Sequence, residues 1–421
     1  MIASRLLRPL GLGVLLAVGC PAVWATELCV DASGKGACFS TINSAVASSA
    51  SGDVIRVAKG IYHEDVVVGI PLSLLGESSE NTIIDATGLD NGINVDGHGN
   101  PGLAHVIVSG FTVRNANFQG ILVTDASNVT ISNNRVTGND VSLQPFAPGG
   151  PVCPGLPPYF VAGEGFDCGE GIHLSGVQHS TVADNLAEHN AGGILISDDT
   201  GPNHDNLISG NVVQDNPFDC GITIASHHFN FGPTDPSVGI YHNTIIGNTS
   251  ARNGLATGEG AGVGIFAGPP GAQNNDNVVA NNILTGNALP GVAFHTHAPF
   301  QGLNGHLIVG NQISGNGPDS DPGTTVPTGI SIFSPVVPLT GIVISQNIIK
   351  GEGIAVAVKA PGAVDVRFNS LLGDVGIDNI GTAAIDAAAN WWKCSGGPGA
   401  NGCSTVNGSG VVTLPWLTKP F

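Results

Sequence analysis

Basic residues are scarce: 13 lysines and arginines stand against 32 aspartates and glutamates in 421 residues, a net charge of −19. Nucleic-acid binding draws its affinity first from phosphate neutralisation, so a chain without a basic footprint is excluded from that class. Charged residues make up only 11% of the chain, too few to solvate the outer faces of many amphipathic helices. Beyond the first 25 residues no apolar run reaches the ~20 residues that a membrane helix needs, so no membrane span is expected. Methionine occurs once, tyrosine three times and tryptophan four times, which leaves the core to aliphatic side chains. Glycine, by contrast, is abundant at 62 residues, and the 42% of apolar residues alternate along the chain. That balance argues against disorder and suits stacked strands with tight corners, burying a large core as one elongated domain over 26–421.

The N-terminus carries Arg5 and Arg8, an apolar run from Leu10 to Val18 and the small-residue junction Val23-Trp24-Ala25, the pattern of a secretory signal peptide over 1–25. A secreted or periplasmic protein is expected. Lipidation at Cys20, within Leu16-Ala17-Val18-Gly19-Cys20, ranks below cleavage after Ala25. Seven cysteines follow that junction. Cys29 with Cys38, Cys153 with Cys168 and Cys394 with Cys403 form close pairs, and export makes each an expected disulfide closing a short loop. Cys220 is left over and reads as a buried thiol.

A repeated unit organises the rest: Asn-x-x-x-x-Asn, then a short strand opening on Gly-apolar-x-apolar. Both asparagines occur at Asn134 and Asn139, Asn185 and Asn190, Asn211 and Asn216, Asn243 and Asn248, Asn282 and Asn287, and Asn311 and Asn316. Two further copies replace the second asparagine by an acid, at Asn347 with Glu352 and Asn369 with Asp374. The strands open at Gly120, Gly171, Gly193, Gly221, Gly262, Gly291, Gly329 and Gly353, with closest spacings of 22 and 24 residues. A period of that size with alternating apolar residues predicts a solenoid of β-coils about 4.8 Å apart. Stacked amides at the turns fit it, each bonding its own backbone and the amide one coil along. A leucine-rich repeat is disfavoured, because no leucine consensus recurs. Longer spacings read as loops inserted near 143–168, 227–238, 251–260 and 316–328, gathered on one binding face. A short capping helix is expected over 39–46, closing the apolar end of the stack.

The segment from Phe39 to Gly88, with Gly60-Ile61-Tyr62-His63-Glu64 and Leu74-Leu75-Gly76, resembles the first coils of the pectin-lyase-like right-handed parallel β-helix superfamily. The closing Asn390-Trp391-Trp392 and Gly397-Pro398 are similar to the terminal coil of bacterial members, including those of the NosD type. The resemblance covers nearly the whole chain after the leader. It implies the fold, an all-β right-handed parallel β-helix. It does not imply one activity, since the superfamily holds polysaccharide lyases, glycosidases, epimerases, esterases and proteins with no known reaction.

Aligned on their glycines, the strands place the second and fourth slots inward and the third, fifth and seventh outward. The outward columns gather Asp199, His227, His295 and His297 as candidate catalytic residues. His173, Phe266, Phe333 and Lys359 are candidate sugar contacts, the two phenylalanines as exposed apolar faces. A histidine serves as acid or base near neutral pH. An elimination would need a cation against the uronate, for which calcium held by Asp198, Asp199 or Asp205 is a candidate. Hydrolysis would need a second carboxylate, Glu170 or Glu259, facing Asp199. The polygalacturonase set is incomplete here: Asp198-Asp199 is present, Gly97-His98-Gly99 comes too early, and the Asn-Thr-Asp and Arg-Ile-Lys motifs are missing, as is the methylesterase Gly-Tyr-Gln-Asp. Three functions stay open: a lyase or hydrolase acting on a polysaccharide or oligosaccharide, a non-catalytic glycan-binding or envelope protein, and a NosD-like metal protein using His227, His295, His297 and Asp199. A monomer is expected.

Overall fold

The computed structural model describes residues 25–139, 143–144, 146–148, 152–160, 167–228 and 239–420. All of the leader over 1–25 but its last residue, and most of the insertion over 227–238, therefore lie outside the described residues. Each coil gives one short strand to each of three parallel sheets, of 14, 11 and 12 strands, and three coils add a strand to a small fourth sheet. One coil reads Thr181–Ala183, Leu186–Glu188 and Ile194–Ser197, and the next begins at Leu207–Ser209. The fold is a right-handed parallel β-helix. The helix Ile42–Ser48 closes its N-terminal end, starting three and ending two residues later than the sequence suggested. Its first turn receives a carboxylate: Glu64 accepts the Ile42 and Asn43 N–H groups at 2.8 and 2.9 Å, answering donors that no helical carbonyl reaches. Phe39 instead bridges to Val30 as extended chain.

The inward slots hold the core. Ile121, Ile172, Ile194, Ile222, Val263, Val292 and Ile330 follow one another up the 12-stranded sheet, all fully buried. The glycine column beside them is enforced by close approach of the coils. A Cβ on Gly193 would lie 2.0 Å from Val213 Cγ1 and 2.3 Å from the Gly221 carbonyl oxygen. All three expected disulfides are present, and Cys220 is buried, its sulfur accepting the Ala261 N–H.

The asparagines form three ladders rather than two. One runs Asn134, Asn185, Asn211, Asn248, Asn282, Asn311, Asn347, Asn369, Asn390. In each step the Oδ1 of one asparagine accepts the backbone N–H of its predecessor. A second runs Asn139, Asn190, Asn216, Asn253, Asn287, Asn316 and ends on Glu352. The third joins Ser180, Asn206, Asn243, Asn277 and His306. The pairing of Asn243 with Asn248 is thus corrected by one corner: the equivalent pair is Asn248 with Asn253, because Asn243 already belongs to the third ladder at the same five-residue spacing. Asp374 is no ladder residue either; it is exposed and paired with Lys393 at 3.1 Å. Ahead of Asn206, Asn211 and Asn216 stand Asp205, Gly210 and Asp215, with φ of 57°, 65° and 56°, the left-handed turn that Gly and Asp accept at least cost.

The insertions do not gather on one face. Three leave the junction between the 11- and 12-stranded sheets, after Arg135–Thr137, Thr249–Ala251 and Gln312–Ser314, and the fourth follows Ile222–Ser226 at the other edge of the 12-stranded sheet. They bracket that sheet from both sides. As a result its outward side is largely covered: Leu122, Thr124, Ser175, Ser197, Thr223, Ala225 and Ala293 are fully buried, where an open strand face was expected. Cys220, Ala261 and Leu289 join Leu195, Ala225, Phe266 and Ala293 in a second apolar layer outside the coil.

Two outcomes follow for stability. Asn248→Ala removes the acceptor of the Asn211 N–H and the donor to the Ile208 carbonyl, each at 2.9 Å in the buried stack. Burying such groups unmet lowers the unfolding free energy by on the order of 3 kcal/mol, to be read by denaturant melts against wild type. His306 and His173 are each held near pKa 4 by burial. Their folded values lie below the unfolded value, so their contribution is full above about pH 6.5 and is lost as pH falls toward 4. His306→Asn, which places the ladder's usual residue there, should retain the fold at pH 7 and flatten the loss of melting temperature between pH 7 and 4.5.

Candidate active site

The expected catalytic set separates into two centres. The first is sealed. His227 is 1% exposed; its Nδ1 donates to Asp199 at 3.2 Å, and its Nε2 lies 3.1 Å from Asp167 Oδ2. Ser197 Oγ donates to Asp199, and His173, also 1% exposed, spans Gln119 Nε2 at 3.1 Å and Ser197 Oγ at 2.8 Å. Burial raises the Asp199 carboxyl, but the adjacent His227 and the hydrogen bonds from His227 and Ser197 outweigh it, holding Asp199 below its ordinary value. Glu170 is wholly buried; burial, reinforced by Asp219 and Asp167, pushes its carboxyl well above the ordinary range. Asp167 adjoins Cys168, whose disulfide to Cys153 anchors the covering loop.

Where outward-facing site residues were expected, the structure buries Asp199, His227 and His173 in a network that ties Asp167 of the 143–168 insertion to the sheet, and Glu170 is buried there as well. The two aspartates expected as calcium ligands lie apart. Asp198 is 1% exposed with both oxygens engaged, by Ser226 Oγ and the N–H groups of His227, His228 and Gly239 at 2.7 to 3.2 Å. Asp205 sits at another corner with His204 at 2.7 Å and His242 at 3.8 Å. Among the described residues the two aspartates share no partner.

The second centre is open. A cleft of about 330 Å³ is lined by Asp219, Glu259, Phe266, Gly268, Leu289, His295, His297, Asp319 and Asp321, among others. Asp219 and Glu259 reach it from the N-terminal ends of their strands, Gly268 and His297 from the C-terminal ends. Its floor is Phe266, whose ring centroid lies 5.2 Å from that of His295. Phe266 is only 7% exposed, because Leu289 and the second apolar layer pack around it, so it is a cleft floor rather than an open platform.

His295 is fixed on both sides. Its Nε2 donates to Asp319 Oδ2 at 2.8 Å, and its Nδ1 faces Asp321 Oδ2 at 3.5 Å. His297 Nε2 lies 3.1 Å from the same Asp321 oxygen. Asp319 is almost fully buried and also accepts from Ser331 Oγ; burial raises its carboxyl, but the hydrogen bond and charge of His295 and the Ser331 bond hold it below the ordinary value. Behind the histidines stands Phe333, 5.3 Å from the His297 ring. Lys359 Nζ lies 5.4 Å over the Phe333 ring and donates to the Asp321 carbonyl at 3.2 Å. Lys359 was expected beside His297's column two coils on; it pairs directly with Phe333, since the last strand aligns Ala355, not Gly353, with Gly329. Asp319, Asp321 and Asp219 are the residues that sequence reasoning missed. The available signal was Asp319-Ser320-Asp321 inside an insertion already assigned to the 316–328 loop.

No helix among the described residues is long and apolar enough to cross a membrane. Residues 72–268 match the family described as right handed beta helix region. No curated protein matches the chain. Among solved structures, the catalytic unit of the thermostable GH87 alpha-1,3-glucanase from Streptomyces thermodiastaticus strain HF3-3 is similar at 17% identity and a TM-score of 0.47, over 95% of this chain and 70% of that one. The A-module of the mannuronan C-5 epimerase AlgE4 of Azotobacter vinelandii is similar at 14% identity and 0.45, over 87% and 91%. ORF18 of Geobacillus virus E2 is similar at 12% identity and 0.45, over 78% of this chain, which spans 56% of that protein's length. These likenesses concern the fold alone. With three parallel sheets wound coil on coil and the right handed beta helix pattern matched over residues 72–268, the chain is a right-handed parallel β-helix.

Proposed function

We propose that this protein hydrolyses a neutral polysaccharide in the cleft between the Asp219 and Glu259 side and the His295, His297 and Asp321 side. One observation carries the reading: carboxylates enter the cleft from one end of the strands and an aspartate-anchored histidine pair from the other, over an aromatic floor. Glycoside hydrolysis needs an acid for the leaving oxygen and a group that activates water across the scissile bond. The glycosidic C–O bond breaks, its oxygen takes a proton from Asp219 or Glu259, and the water oxygen bonds to the anomeric carbon while its proton passes to the histidine side. Phe266 presents the apolar surface on which a sugar ring packs.

Charge selects the substrate class. Among the described residues the cleft lining carries four acidic residues and no lysine or arginine, and Lys359 is engaged behind it on Phe333 and the Asp321 carbonyl. The side chains alone would repel a polyuronate, which favours hydrolysis of a neutral chain over elimination from a uronide wherever the cleft acts without a bound cation.

Purified protein should release reducing ends from at least one neutral polysaccharide in a broad panel. Glu259→Gln or Asp219→Asn, and separately His297→Ala, should lower kcat by on the order of 10²–10⁴-fold, with His242→Ala, at a distant corner, leaving the rate unchanged. Unsaturated products from uronates alone would replace hydrolysis by elimination. Silence across the panel with an intact fold would remove the catalytic reading.

A further inference from the structure

We propose that His295, His297 and Asp321 form a binding site for one divalent transition-metal ion of zinc-like preference at the wall of the cleft. The site deepens the hydrolytic reading: the ion's role in activating water rests on that reading, whereas its binding does not.

The geometry is the first argument. Asp321 Oδ2 lies 3.5 Å from His295 Nδ1 and 3.1 Å from His297 Nε2, and the three ligand atoms lie within 4.8 Å of one another. Ligands about 2.0–2.2 Å from a tetrahedral ion are separated by about 3.3–3.6 Å. Two of the edges are therefore already close to the length that an ion would impose. The strand makes this possible: His295 and His297 are two residues apart, so both rings project to the same side, while Thr296 between them turns inward and bonds Ser334.

The second argument is the support behind the ligands. The ring nitrogen of His295 that faces away from Asp321 donates to Asp319, which is almost wholly buried and held by Ser331. A carboxylate bonded to the distal nitrogen of a ligating histidine fixes the ring's tautomer and raises its donor strength. Exposure rises along the set, from 1% for the Asp319 side chain through 12% for His295 and 32% for Asp321 to 53% for His297. The ligands are thus anchored at the back and open at the front, where a water or a substrate oxygen would complete the coordination. Two imidazoles with one carboxylate suit zinc, cobalt or copper. They do not resemble the oxygen shell that calcium takes, which moves the expected cofactor from calcium at Asp198 and Asp205 to a nitrogen-preferring ion in the cleft.

A second grouping, His179, His204 and Asp205, is also compact. There Nδ1 of His204 lies 2.7 Å from Asp205, well short of the edge of about 3.3–3.6 Å that a tetrahedral ion imposes. The cleft is the better site, and the corner serves as the control. Within the cleft, an ion would add Lewis-acid polarisation to the wall that activates water.

The full chain, stripped with a chelator and titrated with zinc sulfate by calorimetry and with cobalt(II) by visible absorption at pH 7.5, should bind one ion with a tetrahedral cobalt spectrum. Binding should weaken toward pH 5 as the imidazoles protonate. His297→Ala and Asp321→Ala, both at solvent-accessible positions, should abolish binding. Asp319→Asn should weaken it by about 10–100-fold, and His204→Ala should leave it unchanged. Absence of binding, indifference to His297→Ala, or loss in His204→Ala would overturn the site. An ion bound without cleavage of any polysaccharide would instead refute the hydrolytic reading and retain the site. Cleavage that survives the chelator unchanged would separate the ion from catalysis.

Discussion

The structure depends on one repeated hydrogen bond, from a backbone N–H at a coil corner to the side-chain carbonyl of an asparagine in the next coil. A corner turns the chain away from its sheet neighbours and leaves buried amides that no strand partner can reach, and in the interior each such group must find another acceptor. The ladder through Asn134 to Asn390 supplies that acceptor coil after coil, and its amide donors return to carbonyls of the preceding coil, such as Asn248 to Ile208. Because the bond repeats at strand spacing, it locks the register of all three sheets at once.

That locked register is what makes a site possible. Residues five places into successive strands, Ala225, Phe266, His295, Phe333 and Lys359, stand in one line because the corners below them cannot slip. Insertions are tolerated where they leave a corner and return to it, since the ladder bonds persist on either side. Loops at both edges of the 12-stranded sheet then convert an outward face into a covered layer, and leave a cleft beside Gly268.

The two histidine centres show how much the covering loop decides. His227 and His295 have the same immediate company, a carboxylate at each ring nitrogen. In the first case Asp167 belongs to a loop that closes over the sheet, and the histidine becomes part of an internal clamp. In the second, Asp321 stands on the rim of a cleft, with His297 beside it in solvent. Similar chemistry serves packing in one coil and faces a potential substrate two coils later.

Much of this was legible in the residues. Alternation, the glycine column and the asparagine spacing determine the solenoid, its capping helix and the alternation of inward and outward slots, because these are set by neighbours a few residues away; close cysteine spacing gave the disulfides for the same reason. The candidate positions His295, His297 and Phe266 also came from that local register. The misreadings arose where the pattern was degenerate. Asn243, Asn248 and Asn253 repeat at equal spacing, so the sequence cannot say which corner each one turns, and Ala355 replaces the glycine that would have marked the last strand. Burial of Asp199, His227 and His173, the arrival of Asp167, Asp319 and Asp321 beside their histidines, and the cleft itself were decided only by the tertiary structure. Loops carry no period, and where an insertion lies is fixed by contacts with coils that are remote in sequence.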